Sequence, residues 1–560
     1  MNRIFNSIMT AAIIAGAAGC TCSSPEKELQ SIIDNTVEKY EPLFKEANLA
    51  YWNGAISGKA EDFEAYSQAN MKLTEILSDA QTFSKLKQIK ESGKVSDPIL
   101  KRELEILYNM YLSKQADTTL LHAIIQKEME IEQKYSGFRA LYKGKSIDDN
   151  QVENILKTSL DSKELESVWK AHKQIGKVVS QDIIEVVKLR NKLAVSLGFR
   201  DFYDMSLTLG GASPEEVYEL LDEVDSLTCD SFAQVKGEMD RIFAKKYSIK
   251  ESDLRPWHYQ NRYFQEAPEL YPVDLDSYYT EADLCRITTD YYASIGIDIT
   301  SMMEASDLYS KPGKNQHAFC TDIDRRGDIR VLCNLSNNER WMGTMLHEFG
   351  HAVYSKGHDE NEELPYLLRD AASMFTTEAV AMLFERQSKN PQWMKHYIGI
   401  SDEEAERISD ACIKSARLKQ LVFSRWVQVV SRFEKGMYAD PDQDLNKLWW
   451  DLVEKYQLLR RPDNWDNADW ASKIHIAIYP CYYHNYQLGE LFASQMHHYI
   501  VNNVTKSADL RHDTYIGNKE VGQWINDNVF RPGMLYHWND MIQKATGEKL
   551  SAKYYQEEFR

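Results

Sequence analysis

The sequence predicts one large, mostly α-helical domain of two lobes, and three observations favour this fold. Glycine (25) and proline (14) are scarce among the 560 residues, so few positions interrupt a helix. Long stretches place apolar residues three and four positions apart, which is the spacing of an amphipathic helix. No repeat of about 20 to 50 residues and no flexible linker divides the body, which argues against a solenoid.

The helical spacing starts near residue 28. Ser213-Pro214-Glu215-Glu216 is a typical helix start, with serine as cap, proline in the first position and acids in the first turn. The clearest later helices are expected in 149–174, 180–198 and 214–245.

Residues 317–333 interrupt the helical pattern. Two short alternating runs flank a turn that contains Gly327, which predicts a small β-hairpin. Its strand could bind an extended substrate by edge pairing. Cys320 and Cys333 flank this turn, so they form either a disulfide or two buried free thiols. The eight cysteines include no CxxC pair, which argues against a cysteine zinc cluster.

The first residues have the features of an export signal. A positive start and the apolar residues 8–19 precede small residues and then Cys20. This resembles a bacterial lipoprotein signal, with an ordinary secretory signal cleaved nearby as the alternative. We expect a signal peptide in 1–19, a lipidated Cys20 with a tether in 20–28, and a single domain in 29–560. The predicted location is the bacterial cell envelope, lipid-anchored and facing the periplasm or the exterior.

The formal net charge is −19. Phosphate binding needs a basic face, so a nucleic-acid partner is not expected. A cationic peptide substrate is compatible with this charge. The sequence does not indicate an oligomeric state.

The strongest motif is His347-Glu348-Phe349-Gly350-His351. On a helix the two histidines lie about 40° apart on one face and can reach the same Zn²⁺. Glu348 lies beside them and can act as the general base.

A catalytic zinc site needs a third protein ligand. Glu378 is the best candidate, because it is the one acid in the middle of the apolar stretch 371–386, where an unpaired carboxylate would be costly. The metzincin spacing fails, since Tyr354 and Gly357 stand where that class has glycine and histidine. The other candidates are His358, Glu360, Glu362, Glu363, Asp370 and Glu385.

The stretch HEFGHAVYSKG…LPYLLRDAASMFTTEAVAM resembles the zinc region of the angiotensin-converting enzyme family of peptidyl-dipeptidases. The likeness extends upstream to His317-Ala318 and Asp328-Ile329-Arg330. It extends downstream to Lys473-Ile474-His475-Ile476 and to RPGMLYHWNDMIQKATGEKLSAKYYQEEF. The resemblance implies a helical ellipsoid with a deep central channel that removes C-terminal dipeptides from oligopeptides.

The resemblance also implies residue roles. His347, His351 and Glu378 would hold one zinc ion, with Glu348 as base and then acid. His317 and Ala318 would contact the substrate backbone or the carbonyl of the leaving dipeptide. Lys473 would pair with the terminal carboxylate, and His475 would donate to the substrate or to the oxyanion. Gln265 is a further candidate for the carboxylate.

Two tyrosines three residues apart complete the family pattern, one for the carboxylate and one for the oxyanion. Tyr483 and Tyr486 fit if one residue is inserted after Lys473, and Tyr486 is then the oxyanion donor. A register anchored on Pro480 would instead place Cys481 and His484 there.

The sequence departs from the family pattern at two places. Asn485 stands where the family often has a chloride-binding arginine, so the resemblance does not carry over chloride activation. Met382 replaces an aspartate that supports a zinc histidine, so such support must come from elsewhere.

Three functions follow as hypotheses. The first is a lipid-anchored zinc peptidyl-dipeptidase. The second is a related zinc peptidase that would remove single residues or cut oligopeptides internally. It is suggested by the zinc helix, which also resembles that of bacterial metallocarboxypeptidases. The third is a non-catalytic peptide-binding lipoprotein, which the presence of a general base argues against.

Overall fold

The computed structural model describes residues 24–559. The predicted signal peptide and Cys20 lie outside the described residues. The expected mostly helical fold is confirmed. The α-helices are α1 Pro25–Ser57, α2 Ala60–Leu77, α3 Ala80–Ser92, α4 Pro98–Leu112, α5 Thr118–Gly137, α6 Asp149–Thr158, α7 Ser162–Lys173, α8 Ile175–Ser196, α9 Phe202–Leu209, α10 Pro214–Tyr247, α11 Asp276–Tyr279, α12 Leu284–Ser294, α13 Thr300–Ala305, α14 Glu339–Asp359, α15 Met374–Glu385, α16 Pro391–Tyr397, α17 Asp402–Ala439, α18 Leu445–Leu452, α19 Ile474–Ile478, α20 His484–Tyr499, α21 Lys519–Ile525, α22 Trp538–Thr546 and α23 Lys553–Glu557.

Helix starts follow the side chains that can cap them. Ser213 accepts a hydrogen bond from the backbone N–H of Glu216 at 3.1 Å, as its position before Pro214 predicts. Helix α1 begins at Pro25 with Ser24 as its cap, so residues 25–28, which we assigned to a tether, are helical. Among residues 24–559, none of the helices has the length and apolar character needed to cross a membrane.

Two antiparallel hairpins accompany the helices. The predicted hairpin consists of β3 Phe319–Asp322 and β4 Ile329–Leu332, with Cys320 opposite Val331. A second hairpin, β1 Ala140–Tyr142 with β2 Lys145–Ile147, was not predicted. Cys320 and Cys333 are free thiols, so of the two alternatives for this pair the disulfide is wrong.

One continuous hydrophobic core joins the helices from α5 onward. Smaller clusters belong to the N-terminal helices, and one of them packs Trp52 and Ala55 of α1 against Ile323 and Leu332 of the β3–β4 hairpin. Helix α1 therefore covers the hairpin that lies beside α14.

Close helix packing places the HExxH segment. Gly350 of α14 faces the backbone of Ala381 in α15, where an added Cβ would lie 2.8 Å from the Ala381 Cα. Gly489 of α20 lies against Glu378 and Met382 of α15. These small residues let three helices meet at short distance, which fixes the side chains that α14 and α15 turn toward each other.

Candidate active site

The three predicted metal ligands meet at the junction of α14 and α15. One ligand atom from each of His347, His351 and Glu378 lies within 4.8 Å of the others. The Nε2 atoms of the two histidines are 3.2 Å apart, and Nε2 of His347 is 3.7 Å from Oε2 of Glu378. Among the candidates for the third ligand, Glu378 is the one that the structure groups with both histidines as a possible metal site.

The outer nitrogen of each histidine has its own partner. Nδ1 of His347 donates to Oε2 of Glu385 at 2.9 Å, and Nδ1 of His351 lies 2.7 Å from the hydroxyl of Thr377. These contacts fix the ring orientations and turn both Nε2 atoms toward one point. Either a proton or a metal ion can lie between two nitrogens at this distance.

The donor set fits zinc. Two nitrogens on one tetrahedral zinc, each at about 2.05 Å, would be separated by about 3.3 Å, close to the 3.2 Å between these Nε2 atoms. Burial lowers the pKa of His351 well below its usual range, so the ring is neutral, which is the form that binds a metal.

Glu385 supplies the support that Met382 cannot give. Burial alone would raise the pKa of Glu385. Lys419 and the hydrogen bond with His347 nevertheless hold this pKa below its usual range. Its carboxylate is 3.8 Å from Lys419. From the sequence, Glu385 is predicted only as a candidate zinc ligand. Its supporting role could have been inferred from its position seven residues after Glu378, which is two helical turns away on the same face.

Glu348 has the environment of a proton-transfer group. It is 8% exposed, and burial raises its pKa to about 7, while His347 lowers it and Glu378 raises it further. A hydrogen bond from the backbone of Cys320 in β3 also holds this carboxyl. A carboxyl that titrates near neutrality can both take and return a proton.

The hairpin carries the predicted backbone-binding residues. His317 and Ala318 directly precede β3, where His317 is exposed and Ala318 is partly buried. Strand β3 pairs with β4 in a two-stranded sheet. The structure thus places His317 and Ala318 at the start of a strand that also contacts Glu348.

A second group of residues forms around Lys473. Its Nζ donates to Oε1 of Gln265 at 2.8 Å, which brings together two residues 208 positions apart. Lys473 is 8% exposed and makes no ion pair within the part of the chain that the structure describes. Burial, with Arg262 nearby, lowers the pKa of Lys473 to about 8.

His475 lies beside this group. Its ring centroid is 5.4 Å from that of Tyr483, and its buried Nδ1 has no hydrogen-bond partner among residues 24–559. Burial, with Lys473 nearby, lowers the pKa of His475 to about 4. A neutral imidazole has one nitrogen that donates a hydrogen bond and one that accepts.

Tyrosines connect the two groups. The ring of Tyr483 lies 5.9 Å from Nζ of Lys473 and 5.8 Å from the ring of Tyr486. Tyr486 is close enough to Glu378 for that carboxylate to raise its pKa, although burial is the larger cause. Tyr482, which was not predicted from the sequence, packs against Tyr486. Burial raises the pKa of Tyr482, and the nearby Glu378 carboxylate raises it further.

The alternative register would use Cys481 and His484. The backbone N–H of Cys481 donates to Glu434 at 2.8 Å, and Cys481 is buried. His484 is buried, and burial lowers its pKa to about 4. Asn485 donates to the backbone carbonyl of Tyr482 at 3.2 Å, and chloride dependence stays an open prediction.

An HExxH helix with a downstream glutamate defines the zinc-peptidase type of site. Residues 162–560 match the family model described as Peptidase family M3. This is well over half of the sequence, so the chain belongs to peptidase family M3. Residues 23–255 match the model described as Angiotensin-converting enzyme, which confirms the predicted resemblance.

A curated relative is Thermostable carboxypeptidase 1 of Pyrococcus furiosus. It is 20% identical over 343 residues, which is 57% of this chain and 65% of the relative. The chain therefore spans slightly less than two thirds of that relative's length.

Proposed function

We propose that the protein is a zinc metallopeptidase that removes dipeptides from the C-termini of oligopeptides. The observation that carries this proposal is Lys473, a buried cation with a neutral amide as its hydrogen-bond partner. A buried charge of this kind needs a counter-ion, and the terminal carboxylate of a peptide would supply it. Tyr483 and Tyr486 connect this cation to Glu378.

The residues divide the chemical work between them. A zinc ion held by His347, His351 and Glu378 would supply a Lewis acid at the scissile carbonyl. Glu348 takes a proton from the attacking water and returns it to the leaving amine, which its pKa of about 7 allows.

Four side chains would then position the peptide and its developing charge. Tyr486 would donate from its phenol to the oxyanion, and the His475 imidazole would provide a second polar contact. Lys473 and Gln265 hold the terminal carboxylate. The fixed distance between this cation and the metal ligands would select the bond that is cut.

The test is mass spectrometry of the products from a peptide with a free C-terminus and from its amidated form. We expect stepwise release of dipeptides from the free peptide alone, and loss of cleavage in Glu348→Gln. Lys473→Met should raise KM strongly, whereas Lys544→Met, at an exposed lysine of α22, should behave like the wild type. Tyr486→Phe should lower kcat more than it changes KM.

Other products would change the assignment. Release of single residues would favour a carboxypeptidase, as the name of the Pyrococcus furiosus relative suggests. Internal cuts would favour an oligopeptidase. Binding of zinc and peptide without turnover would favour the non-catalytic peptide-binding lipoprotein.

We also propose a lipid anchor at Cys20, supported by the sequence alone. Metabolic labelling with a radioactive fatty acid should label the wild type and not Cys20→Ala. Equal absence of label from both proteins would instead favour an ordinary secretory signal.

A further inference from the structure

A groove of about 630 Å³ lies between α1, α4 and the short 3₁₀ turn Tyr366–Leu368. This turn belongs to the segment that joins α14 to α15. No lining residue belongs to the metal ligands or to the group around Lys473. The apolar walls come from all three elements, with Ile33, Val37, Ile99, Leu100, Pro365 and Tyr366.

Glu103 of α4 lines this groove and is almost fully buried. It is 4% exposed, and no hydrogen bond or ion pair to its carboxyl exists in the part of the chain that the structure describes. Burial raises its pKa to about 7, and Asp34 and Asp97 raise it further. Among residues 24–559, no positively charged group therefore compensates this carboxyl in the groove.

The other acids of the groove add negative charge but are already engaged or exposed. Asp97 accepts hydrogen bonds from the backbone N–H groups of Ile99 and Leu100, both at 2.9 Å. Asp34 accepts from Gln30 at 2.9 Å. Glu38 is exposed. None of the described lysines and arginines lines the groove, so an anionic ligand would be repelled.

The shape and charge together select a class of ligand. The groove volume is in the range of small-molecule sites, about 300 to 1,000 Å³. Apolar walls favour a hydrocarbon body, and an uncompensated buried carboxylate favours a donor with a positive charge. A metal ion is a poor fit, since within residues 24–559 the group of side chains able to hold one is His347, His351 and Glu378.

We propose that this groove binds an alkylammonium group, with the ammonium at Glu103 and the alkyl chain against Ile33, Leu100 and Tyr366. The shared chemistry is a primary ammonium on a short apolar chain. A free aliphatic amine and a lysine side chain both carry it. This proposal does not depend on the peptidase activity.

Isothermal titration with hexylammonium tests the proposal, with hexanol and hexanoate as ligands of similar length. Nα-acetyl-lysinamide distinguishes a lysine side chain from a free amine as the source. We expect saturable binding of hexylammonium, at least tenfold weaker binding of hexanol and no binding of hexanoate.

Two variants locate the binding. Glu103→Gln should weaken hexylammonium at least tenfold, while Glu105→Gln, at an exposed neighbour on the same helix, should bind like the wild type. Glu103→Gln should fold, because it replaces an unpaired buried carboxyl by a neutral group of the same shape. Equal hexylammonium affinity in Glu103→Gln and the wild type, or no binding to the wild type, would overturn the proposal.

Discussion

Replacing Gly350 by alanine should weaken metal binding more than it weakens folding. Gly350 lies inside HEFGH, between the two histidines, where α14 meets α15. An alanine Cβ would lie 2.8 Å from the Cα and 3.2 Å from the backbone N of Ala381. Because both contacts are with backbone, no side-chain rotation can relieve them.

The size of the effect follows from these distances. Carbon atoms pack best at about 3.5 to 4.0 Å, so α15 must move away from α14 by roughly 0.7 to 1.2 Å. Metal–ligand distances tolerate only about 0.2 Å, and Glu378 lies one helical turn from Ala381. We expect roughly 10- to 100-fold weaker zinc binding, the range found when ligand positioning is disturbed.

The cost in stability should be smaller. Overpacking costs about 1 to 3 kcal/mol, and alanine regains about 0.5 to 1 kcal/mol over glycine in a helix. The free energy of unfolding of the metal-free protein should therefore fall by roughly 0 to 2.5 kcal/mol.

Zinc affinity would be measured by competition with a chromophoric chelator, and stability by denaturant unfolding. Gly237→Ala in α10 is the matched control, because a Cβ there has no neighbour within 4 Å. It should gain about 0.5 to 1 kcal/mol and bind zinc as the wild type does. The reasoning is refuted if Gly350→Ala matches Gly237→Ala in both measurements.

Three further predictions follow from single side chains. Glu385→Gln removes the charged partner of His347, so zinc affinity should fall roughly 10- to 100-fold in the same chelator competition; unchanged affinity would contradict a supporting role. Lys473 has a pKa of about 8, so the KM for a peptide with a free C-terminus should rise as the pH increases through 8. Lys473→Arg keeps its charge and should lack this rise. Burial raises the pKa of Glu434 from 4.5 to about 8, so wild-type stability should fall between these pH values as the unfolded state releases the proton. Denaturant unfolding of Glu434→Gln should show a stability advantage that grows from pH 5 to pH 8, and a constant difference would contradict the buried-carboxyl explanation.

The helices were predictable because their signals are local. The cap at Ser213 and the apolar spacing after it define α10 almost to the residue. The β1–β2 hairpin was missed because its strands have three residues each, too few for alternation to show. In the structure, Lys143 and Gly144 of the turn both have positive φ. Because glycine favours such turns, Gly144 was the one sign of the turn in the sequence.

The metal ligands were predictable for the same reason, whereas the tyrosine cluster was predictable only in part, because Tyr482 was missed. His347, His351 and Glu378 each lie on a regular helix, where spacing gives direction. Between α19 and α20 the chain passes through Cys481, whose φ is +59°. A non-glycine residue rarely adopts this left-handed conformation, so spacing counted from Lys473 cannot be carried across it to Tyr482 or Tyr486.

Family membership and product specificity rest on different parts of the site. The match to peptidase family M3 begins at residue 162 and therefore contains both the metal ligands and Lys473. In the proposed function, the metal ligands and Glu348 act on the scissile carbonyl and the water, as peptide hydrolysis of any kind requires. Recognition of a free C-terminus would use a cation at a fixed distance from that carbonyl. Lys473 is buried, has a neutral partner and is connected through tyrosines to Glu378, so under this proposal the lysine and its neighbours decide between dipeptide, single-residue and internal cleavage.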